Sequence, residues 1–319
     1  MAKYQSWDPP YPLERAVAIT RDIAALDGPV SDHWWGLTIT IATGDEERII
    51  GDLAIHPTWG GRSVEIGYTL NNEAWGHGYA SESVAALVAR LFEDSAISRI
   101  HAMLHPDNVA SARVLEGTGF LYEGRTRLSY WVGEDNSDDL IYGLTRSDWS
   151  VWNSRSLHGP AEVKLIEINS DNLAEVRQVA THKSQERFVA PVDKSFANAL
   201  FPELLNGVRT RAWLRAVEAD GEIVGFIMLA LITEADPEPC LWRFLIDRKH
   251  QRRGIGTIAL ELAINECMLM PADSMTVFWG EGPGSPKPLY LKRGFVPTGI
   301  IEDGETEARL VFDRLRADR

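Results

Sequence analysis

Gln251-Arg252-Arg253-Gly254-Ile255-Gly256 is a basic, glycine-rich stretch that follows the apolar run at residues 241–246 and precedes a helical pattern at 257–268. A strand that ends in such a turn at the start of a helix makes an anion site, because backbone N–H groups and the positive end of the helix dipole point to one place. The sequence therefore predicts a strand–turn–helix unit that holds an anionic group, and a pyrophosphate is the guest we expect.

A second copy of this pattern begins at Trp75-Gly76-His77-Gly78-Tyr79-Ala80. Gly78 lies 41 residues before Gly119-Phe120, and Gly254 lies 40 residues before Gly294-Phe295. A repeat offset of about 176 residues is too long for a solenoid and suits two copies of one domain. We therefore predict domains at 1–152 and 161–319, joined by a polar linker at 153–160.

Composition narrows the class of protein. The chain has 319 residues, 45% of them hydrophobic, and a net charge of −14. No apolar run is long enough to span a membrane and no signal peptide is recognisable, so a soluble, cytoplasmic protein is expected. The acidic balance argues against a nucleic-acid partner. The two cysteines and eight scattered histidines form no ligand cluster, so no metal site is predicted.

Hydrophobic periodicity predicts an α+β fold in each half: mixed, mainly antiparallel strands with one strand–helix crossover. Strands are predicted at 35–42, 49–55, 64–70, 99–104, 121–132 and 140–144, then at 163–168, 210–218, 223–231, 241–246, 273–279, 296–302 and 307–315. Helices are predicted at 11–26, 81–92 and 109–116, then at 173–182, 194–205, 257–268 and 288–292. The first half has no residues for the strand that opens the second, so we expect it to lack that edge strand. We expect another segment, the partner domain or a second chain to cover the exposed edge.

Both halves resemble the GNAT family of N-acetyltransferases, whose acetyl-CoA motif is Arg/Gln-x-x-Gly-x-Gly/Ala. Residues 251–256 match it fully, whereas residues 75–80 keep its small residues but place Trp75 where Arg or Gln is usual. The first half is similar to the ribosomal-protein alanine N-acetyltransferase branch, through the stretches 4–7, 65–68, 75–80 and 108–116. The second half is similar to spermine/spermidine acetyltransferase-like members, through 185–190, 224–226, 245–247, 294–299 and 303–305.

The resemblance implies acetyl-CoA as cosubstrate and a transfer to a primary amine by direct attack in a ternary complex. The residues it assigns to acetyl-CoA in the second half are Leu245, Ile246, Gln251, Arg252, Arg253, Gly254, Ile255, Gly256 and Thr257. Those in the first half are Gly76, His77, Gly78, Tyr79, Ala80 and Asn108.

The resemblance also implies catalytic residues. Tyr290 would protonate the leaving thiolate in the second half, where Arg243 stands on the central strand and cannot act as a base. In the first half Glu65 would be the base and Ser111 would lie near the thiol, while Leu115 replaces the tyrosine. The acceptor is expected to be a small molecule. A peptide N-terminus and association into a homodimer stay open.

Two other interpretations remain at this stage. The first is a binding or regulatory protein without turnover, which the atypical Trp75 and Leu115 favour for the first half. The second is a dinucleotide-binding Rossmann unit, since Gly254-Ile-Gly256-Thr-Ile-Ala259 satisfies G-x-G-x-x-A and Asp273 follows at a suitable distance. The antiparallel opening strands argue against the second.

Overall fold

The structure is a computed structural model that describes residues 4, 11–43, 46–132, 135–202, 204–205 and 207–312. The chain divides into two units, Met1–Ser154 and Arg155–Arg319. Each unit is a mixed, mainly antiparallel sheet with helices, and eight α-helices lie in the described part of the chain. The predicted α+β fold with two similar domains is thereby confirmed.

The first unit contains a six-stranded sheet in the order β1-β2-β3-β4-β6-β5. Its elements are α1 (Leu13–Ala24), β1 (Trp35–Thr43), β2 (Glu46–Thr58), β3 (Ser63–Leu70), α2 (Tyr79–Glu93), β4 (Arg99–Leu104), α3 (Val109–Gly117), β5 (Leu121–Val132), β6 (Asp135–Thr145) and α4 (Arg146–Ser154). Residues on β3 alternate between the two faces of the sheet: Val64 and Ile66 are buried in the core with α2 and α3, and Glu65 lies on the other face.

The second unit contains a seven-stranded sheet in the order β14-β15-β13-β12-β11-β10-β7. Read from β10 to β14, this order repeats that of the first sheet from β1 to β5, and β7 is one additional strand. Its elements are β7 (Val163–Glu167), α5 (Leu173–Val176), α6 (Val192–Leu200), β8 (Leu204–Leu205), β9 (Val208–Arg209), β10 (Arg211–Ala219), β11 (Glu222–Leu231), β12 (Cys240–Ile246), α7 (Ile255–Met268), β13 (Ser274–Gly280), α8 (Lys287–Arg293), β14 (Val296–Glu302) and β15 (Glu305–Val311). Helix α7 packs Leu260, Ala263 and Ile264 against the sheet.

The additional strand, β7, pairs antiparallel with β10 at the edge of the second sheet. Among the described residues the first sheet has no counterpart, so its edge is β1, as the sequence predicts. What covers that edge stays a prediction, because residues 1–3 and 5–10 lie outside the described part.

Two local predictions are wrong, and one helix was missed. The helix predicted at 173–182 ends at Val176. Beyond it, the carboxylate of Asp247 accepts a hydrogen bond from the N–H of Ala180 at 3.0 Å, which holds the chain in a turn. The helix predicted at 194–205 ends at Leu200, and a short pairing of β8 with β9 follows. Helix α4 was not predicted, and it runs into the proposed linker at 153–160. The end of the strand predicted at 307–315 lies outside the described residues.

The Rossmann interpretation is wrong as well, because each sheet contains a single parallel pair among the described strands, β3 with β4 and β12 with β13. A dinucleotide-binding unit needs a mostly parallel sheet. None of the helices in the described ranges is both long and apolar enough to cross a membrane.

Candidate active sites

In the second unit, Gln251 closes the turn between β12 and α7. Its Nε2 donates to the carbonyl oxygen of Ile246 at 3.0 Å and to Oε1 of Gln185 at 2.9 Å. Gly254 follows with a φ of +81° at the N-cap of α7, in the left-handed region that favours glycine. A Cβ placed on Gly254 would meet no described atom within 4 Å, so the space beside the turn is open to a ligand.

The first turn of α7 offers main-chain donors to that space. The N–H groups of Thr257 and Ile258 bond to the carbonyl oxygen of Gly254 at 3.1 and 3.3 Å. The N–H groups of Ile255 and Gly256 belong to the first two residues of the helix, which have no carbonyl partner within the helix. The positive end of the helix dipole lies at the same place. These groups fit the pyrophosphate that the sequence predicts.

The two arginines of the turn differ in their surroundings. Arg253 is half-buried, its Nε donates to the carbonyl oxygen of His158 at 2.8 Å, and its Nη1 lies 2.9 Å from Nδ1 of His250. Arg252 is exposed, with a φ of +66°. Arg253 therefore stabilises the turn through its hydrogen bonds, whereas the guanidinium of Arg252 is a positive charge exposed beside the turn.

The equivalent turn of the first unit has the same construction despite its different sequence. Gly76 and Gly78 have φ values of +78° and +87°, and α2 begins at Tyr79. The Nε1 of Trp75 donates to the carbonyl oxygen of Leu70 at 3.0 Å. Gln251 makes the same contact with Ile246, five residues earlier in each case, so Trp75 replaces Gln251 in closing the turn.

Beside each turn the two parallel strands separate. The described pairing of β12 with β13 is limited to Cys240–Thr276 and Leu241–Val277, and that of β3 with β4 runs from Ser63–Arg99 to Glu65–His101. Leu245 and Ile246 pair with β11 on one side and lie beyond the last pair on the other. Their free edge suits an extended amide-bearing chain such as the pantetheine arm.

In the first unit the separated strands border a cleft of about 230 Å³. Residues from both strands line it, including Ile66 and Tyr68 on β3 and Ala102 and Leu104 on β4. Glu65, Ser111 and Asn108 line it too. The fold therefore brings together three residues that the sequence analysis proposed separately.

Glu65 lies between two histidines at this cleft. Its Oε2 is 3.8 Å from Nδ1 of His56 and 4.0 Å from Nε2 of His101. Burial raises the pKa of Glu65 above its ordinary value, His56 partly opposes that shift, and the carboxylate of Asp139 adds to it. A carboxylate with a raised pKa is a better proton acceptor than an exposed one.

Ser111 and Asn108 begin helix α3. The side-chain oxygen of Asn108 accepts a hydrogen bond from the N–H of Ser111 at 3.2 Å, so it caps the helix. The hydroxyl of Tyr68 donates to the carbonyl oxygen of Ser111 at 3.0 Å. These contacts fix the place where α3 meets β3 at the cleft.

Tyr290 lies in α8, buried against Trp279 and Phe295. Its carbonyl oxygen accepts from the N–H of Phe295 at 3.1 Å, and the carbonyl oxygen of Leu115 accepts from that of Phe120 at 3.0 Å. The matched hydrogen bonds place Tyr290 and Leu115 at equivalent positions. Burial raises the pKa of Tyr290, and the nearby Cys240 and Glu305 raise it further.

The register between β11 and β12 shifts at Arg243. Met228 is paired with Arg243, whereas the next residue, Leu229, is paired with Leu241. The Nη1 of Arg243 donates to the carbonyl oxygen of Trp242 at 2.8 Å, and its buried Nε has no hydrogen-bond partner among the described residues. Burial lowers the pKa of Arg243, but a guanidinium stays protonated at neutral pH and is no base.

Sequence analysis missed several residues at the first unit's site. Asp139, Tyr130, Tyr68 and Trp34 line the cleft, and His56 and His101 flank Glu65. Apart from Tyr68, which shares β3 with Glu65, they come from other parts of the chain, and the fold brings them near Glu65. The described residues contain no group of three or more His, Cys, Asp or Glu side chains arranged to hold a metal ion.

Comparison with known proteins identifies the family. Residues 1–121 match the profile described as acetyltransferase (GNAT) domain, and residues 175–295 match the one described as acetyltransferase (GNAT) family. The chain is 31% identical over 135 residues to the uncharacterized N-acetyltransferase YoaA of Bacillus subtilis, covering 42% of this chain and 74% of that protein. It spans 61–63% of three further N-acetyltransferase relatives from Bacillus.

Solved structures with similarity to the chain include two acetyltransferases with coenzyme A. One is RimL, a ribosomal L7/L12 protein acetyltransferase, with 26% identity, a TM-score of 0.29 and coverage of 30% of this chain and 55% of that one. The other is spermidine N-acetyltransferase from Vibrio cholerae with spermine, with 15% identity, a TM-score of 0.40 and coverage of 47% and 84%.

The chain belongs to the GNAT family of acetyltransferases, and it carries two domains of that family in tandem. Its class of enzyme is therefore acyltransferase.

Proposed function

We propose that the protein is an acetyl-CoA-dependent N-acetyltransferase that acts on a primary amine of a small molecule by direct attack in a ternary complex. The observation that carries this proposal is the left-handed turn at Gly254, which opens α7 beside the free edge of Leu245 and Ile246. It offers an anion site and an extended edge next to each other.

In this proposal the chain's own groups hold the cosubstrate at two places. The first-turn N–H groups of Ile255 and Gly256, with Arg252, bind the pyrophosphate. The main chain of Leu245 and Ile246 pairs with the amides of the pantetheine arm. Bound there, acetyl-CoA supplies the acetyl group and a thiolate leaving group.

Tyr290 is the proposed proton donor. Because burial raises its pKa, Tyr290 keeps its proton at neutral pH and has it ready for a developing thiolate. Trp279 and Phe295 pack on its ring and keep water away from it. The proposed donor is therefore protonated and fixed in position before the acceptor arrives.

We further propose that the reaction takes place in the cytoplasm on a small amine. The net charge of −14 favours a cationic acceptor over a nucleic acid. A peptide N-terminus is the alternative acceptor. Assembly into a homodimer is a separate proposal, and the roles proposed above for individual residues do not require it.

Release of coenzyme A from acetyl-CoA, measured with a panel of primary amines, tests the proposal. For the best amine, Tyr290→Phe should lower kcat on the order of 100-fold and change KM little, because the phenol acts only as the sulfur leaves. Tyr11→Phe, a tyrosine outside both turns, is the matched control and should keep wild-type rates.

Tight binding of acetyl-CoA without turnover of any amine would contradict catalysis and favour a binding protein. Equal kcat for Tyr290→Phe and wild type would remove Tyr290 from the mechanism.

A further inference from the structure

Arg243 is a cation at the point where β12 and β13 separate. Leu241 and Val277 form the last described pair of these strands, and we call the space between residues 242–246 and 278–280 the strand gap. Arg243 is half-buried, and the one side-chain hydrogen bond that it makes to a described residue runs from Nη1 to the carbonyl oxygen of Trp242. None of the described carboxylates forms an ion pair with it. No anion therefore offsets its desolvation cost.

The guanidinium of Arg243 keeps two nitrogens unused. Nε is buried and has no hydrogen-bond partner in the described ranges. Nη2 makes no hydrogen bond to those residues either, but it is not one of the buried atoms, so a ligand can reach it. Arginine binds carboxylates strongly, because its donors are charged and match the spacing of the two oxygens. A carboxylate at Nη2 would supply the anion that the described residues do not provide.

Two other arginines of the second sheet show what distinguishes Arg243. Arg309 on β15 has an anionic partner, since its Nε donates to Oε2 of Glu238 at 3.0 Å. Arg215 on β10 resembles Arg243 in its local contact: its Nη1 donates to the carbonyl oxygen of the preceding residue at 2.8 Å. Arg215 lies two strands away from the strand gap, however, so it is a matched control for the side chain without the position.

Glu305 and Tyr290 lie on the other side of the strand gap. Glu305 is half-buried and pairs with Gly280, the last residue of β13. Tyr290 stacks on Trp279, with ring centroids 6.0 Å apart. Burial lowers the pKa of Arg243 and raises that of Tyr290, and the negative charge of Glu305 favours the protonated form of both. The strand gap therefore has a cation on one strand, an anion opposite and the proposed proton donor beside them.

The proposed position of acetyl-CoA brings the reacting carbon to this place. A pantetheine arm that starts at the turn before α7 and runs along Ile246 and then Leu245 ends with its sulfur towards Arg243. The acceptor amine must approach the thioester there. A second group on the same small molecule would then be within reach of the guanidinium.

We propose that the acceptor of the second unit carries a carboxylate besides its primary amine, and that Arg243 binds this carboxylate. The inference rests on the proposed function, which it narrows from small primary amines to small amino acids. The ammonium group of such an acceptor keeps the charge that the acidic chain favours, and Glu305 attracts it at the strand gap. A diamine would instead place a second positive charge beside Arg243 and is disfavoured.

The test compares each amino acid with its own carboxamide, which keeps the shape and the amine but loses the negative charge. The series begins with glycine and continues through unbranched amino acids with longer chains between the two groups. Measurements are made in a Gly78→Glu background, so that turnover reports the second unit. The best amino acid should exceed its carboxamide in kcat/KM on the order of 30-fold.

Variants at position 243 should change this preference in opposite ways. Arg243→Gln should remove it, mainly through a higher KM for the amino acid, because the contact is already made in the bound acceptor. Arg243→Glu should favour the diamine of the same length, since the new carboxylate attracts its second ammonium group. Arg215→Gln should keep the wild-type preference. Unfolding midpoints in urea are measured for each variant, so that a lost rate is not mistaken for a lost fold.

Two outcomes would overturn the inference and leave the proposed function standing. One is equal kcat/KM for amino acid and carboxamide in the protein with Arg243 intact. The other is an unchanged preference in folded Arg243→Gln, which would mean that Arg243 acts on something other than the carboxylate. No turnover of any amine would refute the proposed function itself. Calorimetric titration of the amino acid and the carboxamide into protein saturated with coenzyme A does not need turnover, and equal binding of the two would also overturn the inference.

Discussion

At the scale of single residues, Trp75 and Gln251 show that different side chains can close the same turn. Both donate at 3.0 Å to the carbonyl oxygen five residues earlier, at the end of β3 or β12. The indole N–H and the amide N–H are equivalent for this purpose. The departure from the family motif at Trp75 therefore says nothing against acetyl-CoA binding by the first unit. Leu115, at the position of Tyr290, has no hydroxyl group and could not play the role that we propose for Tyr290.

His182 gives the second unit a pH-dependent stability. Burial lowers its pKa to about 4, and Arg248 adds to that shift. Between this value and the ordinary 6.5 the unfolded chain binds a proton that the folded chain does not, so stability falls as pH falls. From pH 7.5 to pH 5 the loss should be about 2 kcal/mol.

The measurement compares urea unfolding of wild type and His182→Gln at both pH values. Glutamine does not titrate, so the variant should lose less free energy of unfolding on acidification. Equal losses in the two proteins would contradict the assignment.

At the scale of elements, Arg146 fastens the end of α2 to the start of α4. Its guanidinium donates to the carbonyl oxygens of Phe92, Asp94 and Ile97 at 2.6, 2.6 and 2.7 Å. These carbonyls belong to the last turn of α2 and the loop after it. The carbonyl groups at the end of a helix lack partners within the helix and lie at the negative end of its dipole, so a cation that donates hydrogen bonds is stabilising there. Arg146→Met should therefore destabilise the first unit by about 2 kcal/mol, as chemical denaturation would measure.

Arg90→Met is the matched control, since Arg90 lies on the same helix with 77% of its side chain exposed and pairs with Glu93. It should change stability by about 0.5 kcal/mol or less. Similar losses in both variants would mean that the three carbonyl contacts contribute little.

At the scale of the whole molecule, the duplication of the turn and of the separated strands predicts two bound equivalents of acetyl-CoA per chain. Titration calorimetry should give two for wild type and one for either Gly254→Glu or Gly78→Glu, because the new carboxylate would repel the pyrophosphate. At 100 times Kd the ligand should stabilise each binding unit by about 2.7 kcal/mol.

Gly254→Ala and Gly78→Ala separate charge from backbone strain, since alanine meets the same left-handed φ without a negative group. A stoichiometry of one for wild type, lost only with Gly254→Glu, would restrict binding to the second unit.

The sequence alone determined the repeat, the α+β class, and the strand–turn–helix units at Gly78 and Gly254. Those features are local: a glycine pattern, an apolar run before it and a helical period after it lie within about 30 consecutive residues. The failures came from contacts between residues distant in the chain. The helix predicted at 173–182 stopped early at a contact with Asp247, which is 67 residues from Ala180.

Only the tertiary structure decided which groups surround Glu65. His56 and His101 reach it because β2, β3 and β4 pair in one register, and a shift of one residue would turn either histidine to the opposite face. No sequence period records that register, since it depends on how three strands pack over a shared core. The same holds for Asp139, which reaches the cleft from β6.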